Sequence, residues 1–183
     1  MQKKALIILA EGFEEIEAIT VIDILRRGQI QLTIAGLTDT KIRGAHGVAV
    51  IADKKLDSKD TDYDACILPG GTPGSANLAA STKIRDLVTA LYEKNKLIAA
   101  ICAAPALVLA QTGILNNRTA TCYPGMQDNF DKTTIYKEDS VVVDGNLITS
   151  RGPSTALAFA LAIVEKLCDK TTSDKIKKAT LLV

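Results

Sequence analysis

The sequence predicts an α/β fold: a mostly parallel sheet with helices on both faces. Three observations predict it. Short aliphatic runs without polar alternation, ALIILA at residues 5–10, ACIL at 65–68 and LIAAI at 97–101, mark strands covered on both sides. Stretches with helical spacing of apolar residues alternate with these runs, and such alternation demands parallel pairing through crossover helices. Each crossover is then right-handed. Gly12 and Pro69-Gly70-Gly71 close two of the strands with turn chemistry.

The elements follow in order. Residues 5–10 form the first strand and Gly12 ends it. Residues 14–28 read as a helix: Ile16, Ile19, Val21, Ile22 and Leu25 recur at helical spacing, and Arg26 and Arg27 occupy the last turn before Gly28. Strands are expected at 30–35, 48–51 and 65–68. Residues 81–95 are an amphipathic helix with Ile84, Leu87, Val88 and Leu91 on one face. The strand at 97–101 leads into a helix of small and aliphatic residues at 103–110. After residue 116 the pattern changes to short strands at 133–136, 140–143 and 146–149, with Asp144-Gly145 as the turn of a small β-hairpin. Pro153 belongs near the first turn of a last long helix at 154–168, and 173–179 forms a short further one. No repeat, low-complexity tract or linker interrupts the chain, so residues 1–183 are read as one domain.

Composition narrows the function. With 47% hydrophobic and 23% charged residues, a chain of 183 residues belongs to the soluble globular class. A net charge of +1 offers no electrostatic ground for nucleic acid or an anionic membrane as partner. Four cysteines at wide spacing make neither a disulfide framework nor a zinc pattern, and no metal is expected. The opening MQKKALIILAEGFEE starts basic and then apolar. Its apolar run is too short for a signal peptide and is followed by Glu11, Glu14 and Glu15. No run reaches the length of a membrane span, and a reducing, cytoplasmic location is the expectation.

The chemistry gathers around Cys102. A buried strand that passes through one nucleophile-type residue into a helix has the layout of a nucleophile elbow, and Ala100, Ala103 and Ala104 supply the small neighbours a tight turn needs. Unpaired amides and a partial positive charge at the helix start favour thiolate, the reactive form. The bland alternative is a small buried hydrophobe at a strand end. Two further features follow strands: Glu14, Glu15 and Glu17 after the first, and Pro69-Gly70-Gly71 after the ACIL strand. In an open parallel sheet the carboxyl ends of the strands share one edge, where ligands bind, so these pieces converge on Cys102. A carboxyl from the first helix then donates to the thiolate or acts as base. The amides of Gly71 and Ala103 are candidates for an oxyanion site. Alone, three glutamates at a helix start are also ordinary dipole complements, and Gly-Gly is an ordinary turn.

The only histidine, His46, is a candidate partner for the thiol, but it lies in a loop after the second strand with nothing local to bring it there. A solvent-exposed loop role is the alternative. GGTPG at 70–74 lacks the spacing of a nucleotide loop. Cys66 reads as core, and Cys122 and Cys168 as packing or surface thiols.

The stretches ALIILAEGFEEIEAIT, ILPGG, LIAAICAAPALVLA and LITSRGPSTALAFALAIVEKL, in that order, resemble the DJ-1/ThiJ/PfpI superfamily and within it the DJ-1-like branch. The resemblance runs from Ala5 to about Leu182. It implies a flavodoxin-like three-layer sandwich and a homodimer. It also implies a nucleophilic Cys102, a buried, protonated Glu17 as its partner, and backbone amides of Gly71 and Ala103 that bind oxygens, with Gly70 beside them. Pro153, preceded by Arg151, and Tyr123 line the site, and Arg27 and His46 stand at positions near the dimer contact. Two departures matter. Tyr123 occupies a position where some relatives carry a histidine near the cysteine, so Glu17 bears the proton transfer. Ala103 replaces the histidine on which the peptidase and amidase activities of other branches lean.

The resemblance further implies a cysteine-dependent enzyme without cofactor, of the glyoxalase III or deglycase kind. Such an enzyme acts on methylglyoxal, glyoxal or their thiol and amine adducts and releases 2-hydroxy acids. The alternative it implies is a redox-sensing stress protein or chaperone whose Cys102 is oxidised to sulfinate.

Overall fold

The computed structural model describes residues 2–57 and 59–182. In chain order the strands and helices are β1 (Lys4–Leu9), α1 (Glu15–Arg27), β2 (Gln31–Gly36), β3 (Lys41–Arg43), β4 (Ala49–Ile51), β5 (Lys54–Lys55), β6 (Ala65–Leu68), α2 (Thr72–Ala80), α3 (Thr82–Glu93), β7 (Leu97–Ile101), α4 (Ala104–Leu107), β8 (Thr119–Ala120), β9 (Ile135–Tyr136), β10 (Val141–Asp144), β11 (Leu147–Ser150), α5 (Ala156–Leu167) and α6 (Lys170–Ala179). The main sheet has seven strands in the order β10-β11-β7-β6-β1-β2-β5. All its pairings are parallel except the β10–β11 hairpin. The expected α/β fold with a hairpin addition is therefore the observed one.

Strand alternation builds two cores. Ala5, Ile7 and Leu9 of β1 and Leu97, Ala99 and Ile101 of β7 face α1 and α5, where Val21, Leu25, Phe159 and Ile163 close the layer. Leu6 and Ile8 of β1 and Ile98 and Ala100 of β7 face the other way, against Ile84, Leu87, Val88 and Leu91 of α3. Each fully buried aliphatic side chain contributes roughly 1.5–3 kcal/mol of transfer free energy, and both faces of the central strands carry such residues.

The chain leaves β1 for β2 on one side, while β6 lies on the other. This reversal opens a crevice at the carboxyl ends of β1 and β6, beside that of β7.

Several elements differ from the sequence expectation. The helix expected at 103–110 is a single α-turn, Ala104–Leu107, followed by a 3₁₀ turn at Leu109–Thr112 that Gly113 ends at φ +74°. β-branched Val108 stands at the break, where it and Leu109 are fully buried. Helix α2 lies where the sequence offers no helix: its start falls in the GGTPG stretch, in which Pro73 near the helix start is the one opening signal. The strand at 48–51 does not join the main sheet: β4 pairs with β3 in a separate hairpin. Strand β3 escaped notice because it has three residues, of which only Ile42 is buried. On α1, Ile16 and Ile19 point outward, 56% and 44% exposed, although their spacing fits the buried stripe.

Candidate active site

Cys102 sits immediately after β7 with φ +64°, a left-handed conformation uncommon for a residue with a Cβ. Two backbone hydrogen bonds hold it there. Its N–H donates to the Ser150 carbonyl (2.9 Å), and its carbonyl accepts from the Tyr123 N–H (2.8 Å). The elbow is thus locked between the end of β11 and the loop after β8.

The loop after β6 closes against it. A Cβ on Gly70 would lie 2.5 Å from the Cys102 Cβ, 2.5 Å from Glu17 Oε2 and 3.0 Å from the Cys102 Sγ. Gly71 has φ +90°, and a Cβ there would run into the Gly12 carbonyl and the Glu14 amide. Glycine at both positions therefore lets the backbone approach the thiol and the carboxyl.

Glu17, in the first turn of α1, is completely buried. Its Oε2 accepts the Gly70 N–H at 2.6 Å. Its Oε1 is buried without a hydrogen-bond partner of good geometry among the described residues. Burial pushes this carboxyl up to about 7 and the nearby charge of Glu14 acts the same way, against the Gly70 N–H and the Cys102 thiol.

Burial, and then the negative charge of Glu17, push the Cys102 thiol up to about 12, while the Gly71 and Ala103 amides pull it down. The two groups behave as a unit. When Glu17 is neutral, its repulsion is gone and it becomes a donor to sulfur. A neutral carboxyl thus removes the second cause of the rise and leaves burial opposed by the two amides. With α4 only one turn long, individual amides rather than a long helix dipole stabilise negative charge at this elbow.

The other residues singled out from the sequence divide into two groups. Tyr123 meets the elbow through its backbone bond to Cys102, and Pro153 opens a 3₁₀ turn three residues beyond Ser150. Arg27 and His46 engage other partners. Arg27 pairs with Asp23 one turn back at 2.7 Å. His46 places Nδ1 3.0 Å from Glu15 Oε2 and 3.7 Å from Glu14 Oε2, so the histidine serves the carboxylates rather than the thiol. Glu14, Glu15 and His46 bring three ligating atoms within 4.8 Å of one another, a grouping the sequence reading did not isolate. Ser150 was also missed, because a carbonyl acceptor has no side-chain signature. Cys66 and Cys122 are buried and Cys168 is exposed. No helix of the described residues is long and apolar enough to cross a membrane.

Comparison with known proteins shows what the whole chain is similar to. The sequence profile described as the DJ-1/PfpI family matches residues 3–166. Protein dj-1beta of Drosophila melanogaster is 42% identical over 185 residues, covering 100% of this chain and 98% of that protein. Its crystal structure superposes with a TM-score of 0.95 at 41% identity, covering both chains fully. A Caenorhabditis elegans protein named glutathione-independent glyoxalase DJR-1.2 is 41% identical over 91% of this chain and 89% of its own length. The chain spans only 41% of another relative, Protein DJ-1 homolog B of Arabidopsis thaliana, at 41% identity.

Proposed function

The chain belongs to the DJ-1/PfpI family, and we propose that it is a cofactor-independent, cysteine-dependent glyoxalase or deglycase that protects against reactive carbonyl compounds. The observation that carries this reading is the buried Glu17–Cys102 pair, a carboxyl held near neutrality beside an amide-lined thiol. The name of the C. elegans relative is in keeping with it.

In the proposed cycle the Cys102 thiolate adds to the aldehyde carbon of methylglyoxal, and the new oxygen takes the Glu17 proton. The amides of Gly71 and Ala103 hold that oxygen. Glu17, now ionised, removes the proton from the former aldehyde carbon and returns it to the neighbouring carbon, while the hydroxyl proton passes between the vicinal oxygens. The product is a thioester of lactate on Cys102. Water cleaves it: its oxygen goes to lactate, one of its protons restores the single proton shared by Cys102 and Glu17, and the other leaves to solvent with the lactate.

The deciding measurement is D/L-lactate formed from methylglyoxal by metal-free protein, with Cys102→Ser alongside. Lactate from the unsubstituted protein alone is the expected result. The neutral Glu17 donor would also steady a sulfinate oxygen on Cys102, which supports the second reading, a redox-sensing stress protein. Absence of lactate above the variant, with two oxygens added selectively at Cys102 by mild peroxide, would replace the enzymatic reading with that one.

A homodimer in the cytoplasm completes the proposal. Ile16 and Ile19 of α1 and Val48 and Ile51 of the β3–β4 hairpin are large apolar side chains exposed at 44–68%. The Val48 N–H donates to Glu15 at 3.3 Å, so hairpin and helix start abut. An exposed apolar patch of this kind marks an interaction surface. Light scattering after size exclusion is expected to give the mass of two chains for the unsubstituted protein and of one chain for Ile16→Glu.

A further inference from the structure

We propose that Thr155 is a positioning residue for Cys102: its hydroxyl holds Ser150, and Ser150 holds the elbow. The proposal rests on the reading of Cys102 as the nucleophile and adds to it the group that keeps the thiol in place.

The need arises at the elbow itself. Cys102 stands at φ +64°, a conformation that a residue with a Cβ keeps only where its surroundings enforce it. The acceptor of its N–H is the Ser150 carbonyl at 2.9 Å. Ser150 ends β11 in register with Ile101, the residue before Cys102. No later strand residue steadies that carbonyl, because the chain turns away through Arg151 and Gly152 into the 3₁₀ turn at Pro153–Thr155. What fixes Ser150 is its side chain.

Ser150 is completely buried, and its hydroxyl donates to the Ser140 carbonyl at 2.6 Å. A hydroxyl has one proton, so in the 2.6 Å contact between the two hydroxyls Thr155 is the donor and Ser150 the acceptor. The Gly152 carbonyl, 2.8 Å from Thr155 Oγ1, already takes the Thr155 N–H at 2.9 Å. Among the described residues Ser150 Oγ has no donor besides Thr155. Thr155 Oγ1 in turn accepts the Gly152 N–H at 3.1 Å. The result is one directed chain, from the Gly152 N–H through Thr155 and Ser150 to the Ser140 carbonyl, in which each hydroxyl accepts once and donates once. It ties the end of β11 to the residue that precedes β10 and closes the turn that follows.

The place of Thr155 in the fold supplies an independent observation. It stands at the N-cap of α5, where a threonine hydroxyl ordinarily accepts an amide of its own helix. Thr155 makes no such bond. Its hydroxyl is directed at Ser150 and Gly152 instead. Hydrogen bonds in series reinforce one another, and removing the middle member leaves a buried hydroxyl and a backbone N–H unpaired.

The test compares Thr155→Val, which keeps the shape and removes the hydroxyl, with Thr155→Ser, which keeps the hydroxyl. Hydrogen exchange of the Cys102 amide, resolved by NMR, reads the elbow directly and needs no turnover. In Thr155→Val this amide is expected to exchange about 10-fold faster, the scale set by one lost hydrogen bond, while the amides of Ala99 and Ala100 in β7 keep their rates. A merely structural role would accelerate all three together. Thr155→Ser is expected to restore slow exchange. In lactate formation, kcat of Thr155→Val should fall by up to about 10²-fold, the loss that a misplacement of about 1 Å brings, with KM unchanged. Ser150→Ala should behave alike, and the doubly substituted protein should lose no more than either single variant, because both break one chain. An unchanged Cys102 amide in Thr155→Val, equal acceleration of all three amides, failure of Thr155→Ser to restore the slow rate, or additive losses overturns the positioning role. If the unsubstituted protein makes no lactate, the glyoxalase reading falls, and the amide exchange still decides the role of Thr155.

Discussion

Glu17→Gln is expected to reduce lactate formation from methylglyoxal by about 10²- to 10⁴-fold, the usual size of a general acid–base contribution, while leaving Cys102 open to alkylation. The reason is local. Gln can keep the 2.6 Å bond from the Gly70 N–H through its carbonyl oxygen and present an NH₂ donor where Oε1 now lies. The Gly70 contact and the shape of the pocket are therefore retained. What disappears is the acid–base group that, in the proposed cycle, carries a proton between the two substrate carbons. Full turnover in this variant would remove Glu17 from the mechanism.

The same substitution has a signature in stability. A carboxyl near 7 in the folded chain, against 4.5 in its ordinary state, binds its proton more tightly when folded. Its stabilising contribution is complete below pH 4.5 and is lost as pH rises through about 7. A shift of this size corresponds to about 3 kcal/mol. Urea unfolding of the unsubstituted chain should therefore lose about 2–3 kcal/mol relative to Glu17→Gln between pH 5 and pH 8. Parallel pH profiles for the two proteins would show that burial does not hold the proton on Glu17.

Gly70→Ala is the second large effect. The added methyl would sit 2.5 Å from both the Cys102 Cβ and Glu17 Oε2, between the two groups that must cooperate. Overpacking of this kind costs about 1–3 kcal/mol. Displacement of a reacting group by about 1 Å costs on the order of 10²-fold in rate. Both losses are expected together, read by urea unfolding and by lactate formation. Gly113→Ala is the control. Gly113 has φ +74° at the end of a 3₁₀ turn, with only Asn116 Nδ2 near its added methyl, at 3.8 Å. It should lose about 1–2 kcal/mol for a left-handed conformation and keep its turnover. Equal activity in Gly70→Ala and Gly113→Ala would mean that the close approach of Gly70 has no part in catalysis.

The sequence by itself determined the parallel sheet. Aliphatic runs such as ALIILA and LIAAI cannot face water on either side, so both faces had to be covered. It also determined that Cys102, the first-helix glutamates and Gly70-Gly71 share one sheet edge, because each follows a strand of that sheet. Which glutamate serves the thiol came only through the resemblance to a family. Glu14, Glu15 and Glu17 all sit at the helix start, and only the packed fold buries Glu17 completely beside Cys102 while turning Glu14 and Glu15 toward His46. Tertiary structure likewise decided that Ile16 and Ile19 face outward, since helical spacing sets a face but not the neighbour that covers it. It cut the helix after Cys102 to one turn, because burial of Val108 and Leu109 outweighed the helix preference of the alanines around them. It also brought His46 to carboxylates some thirty residues away in sequence. Local pattern reports which residues must be buried and which turns are possible. Side-chain meetings across such distances depend on the registers of several elements at once, and those exist only when the chain is folded.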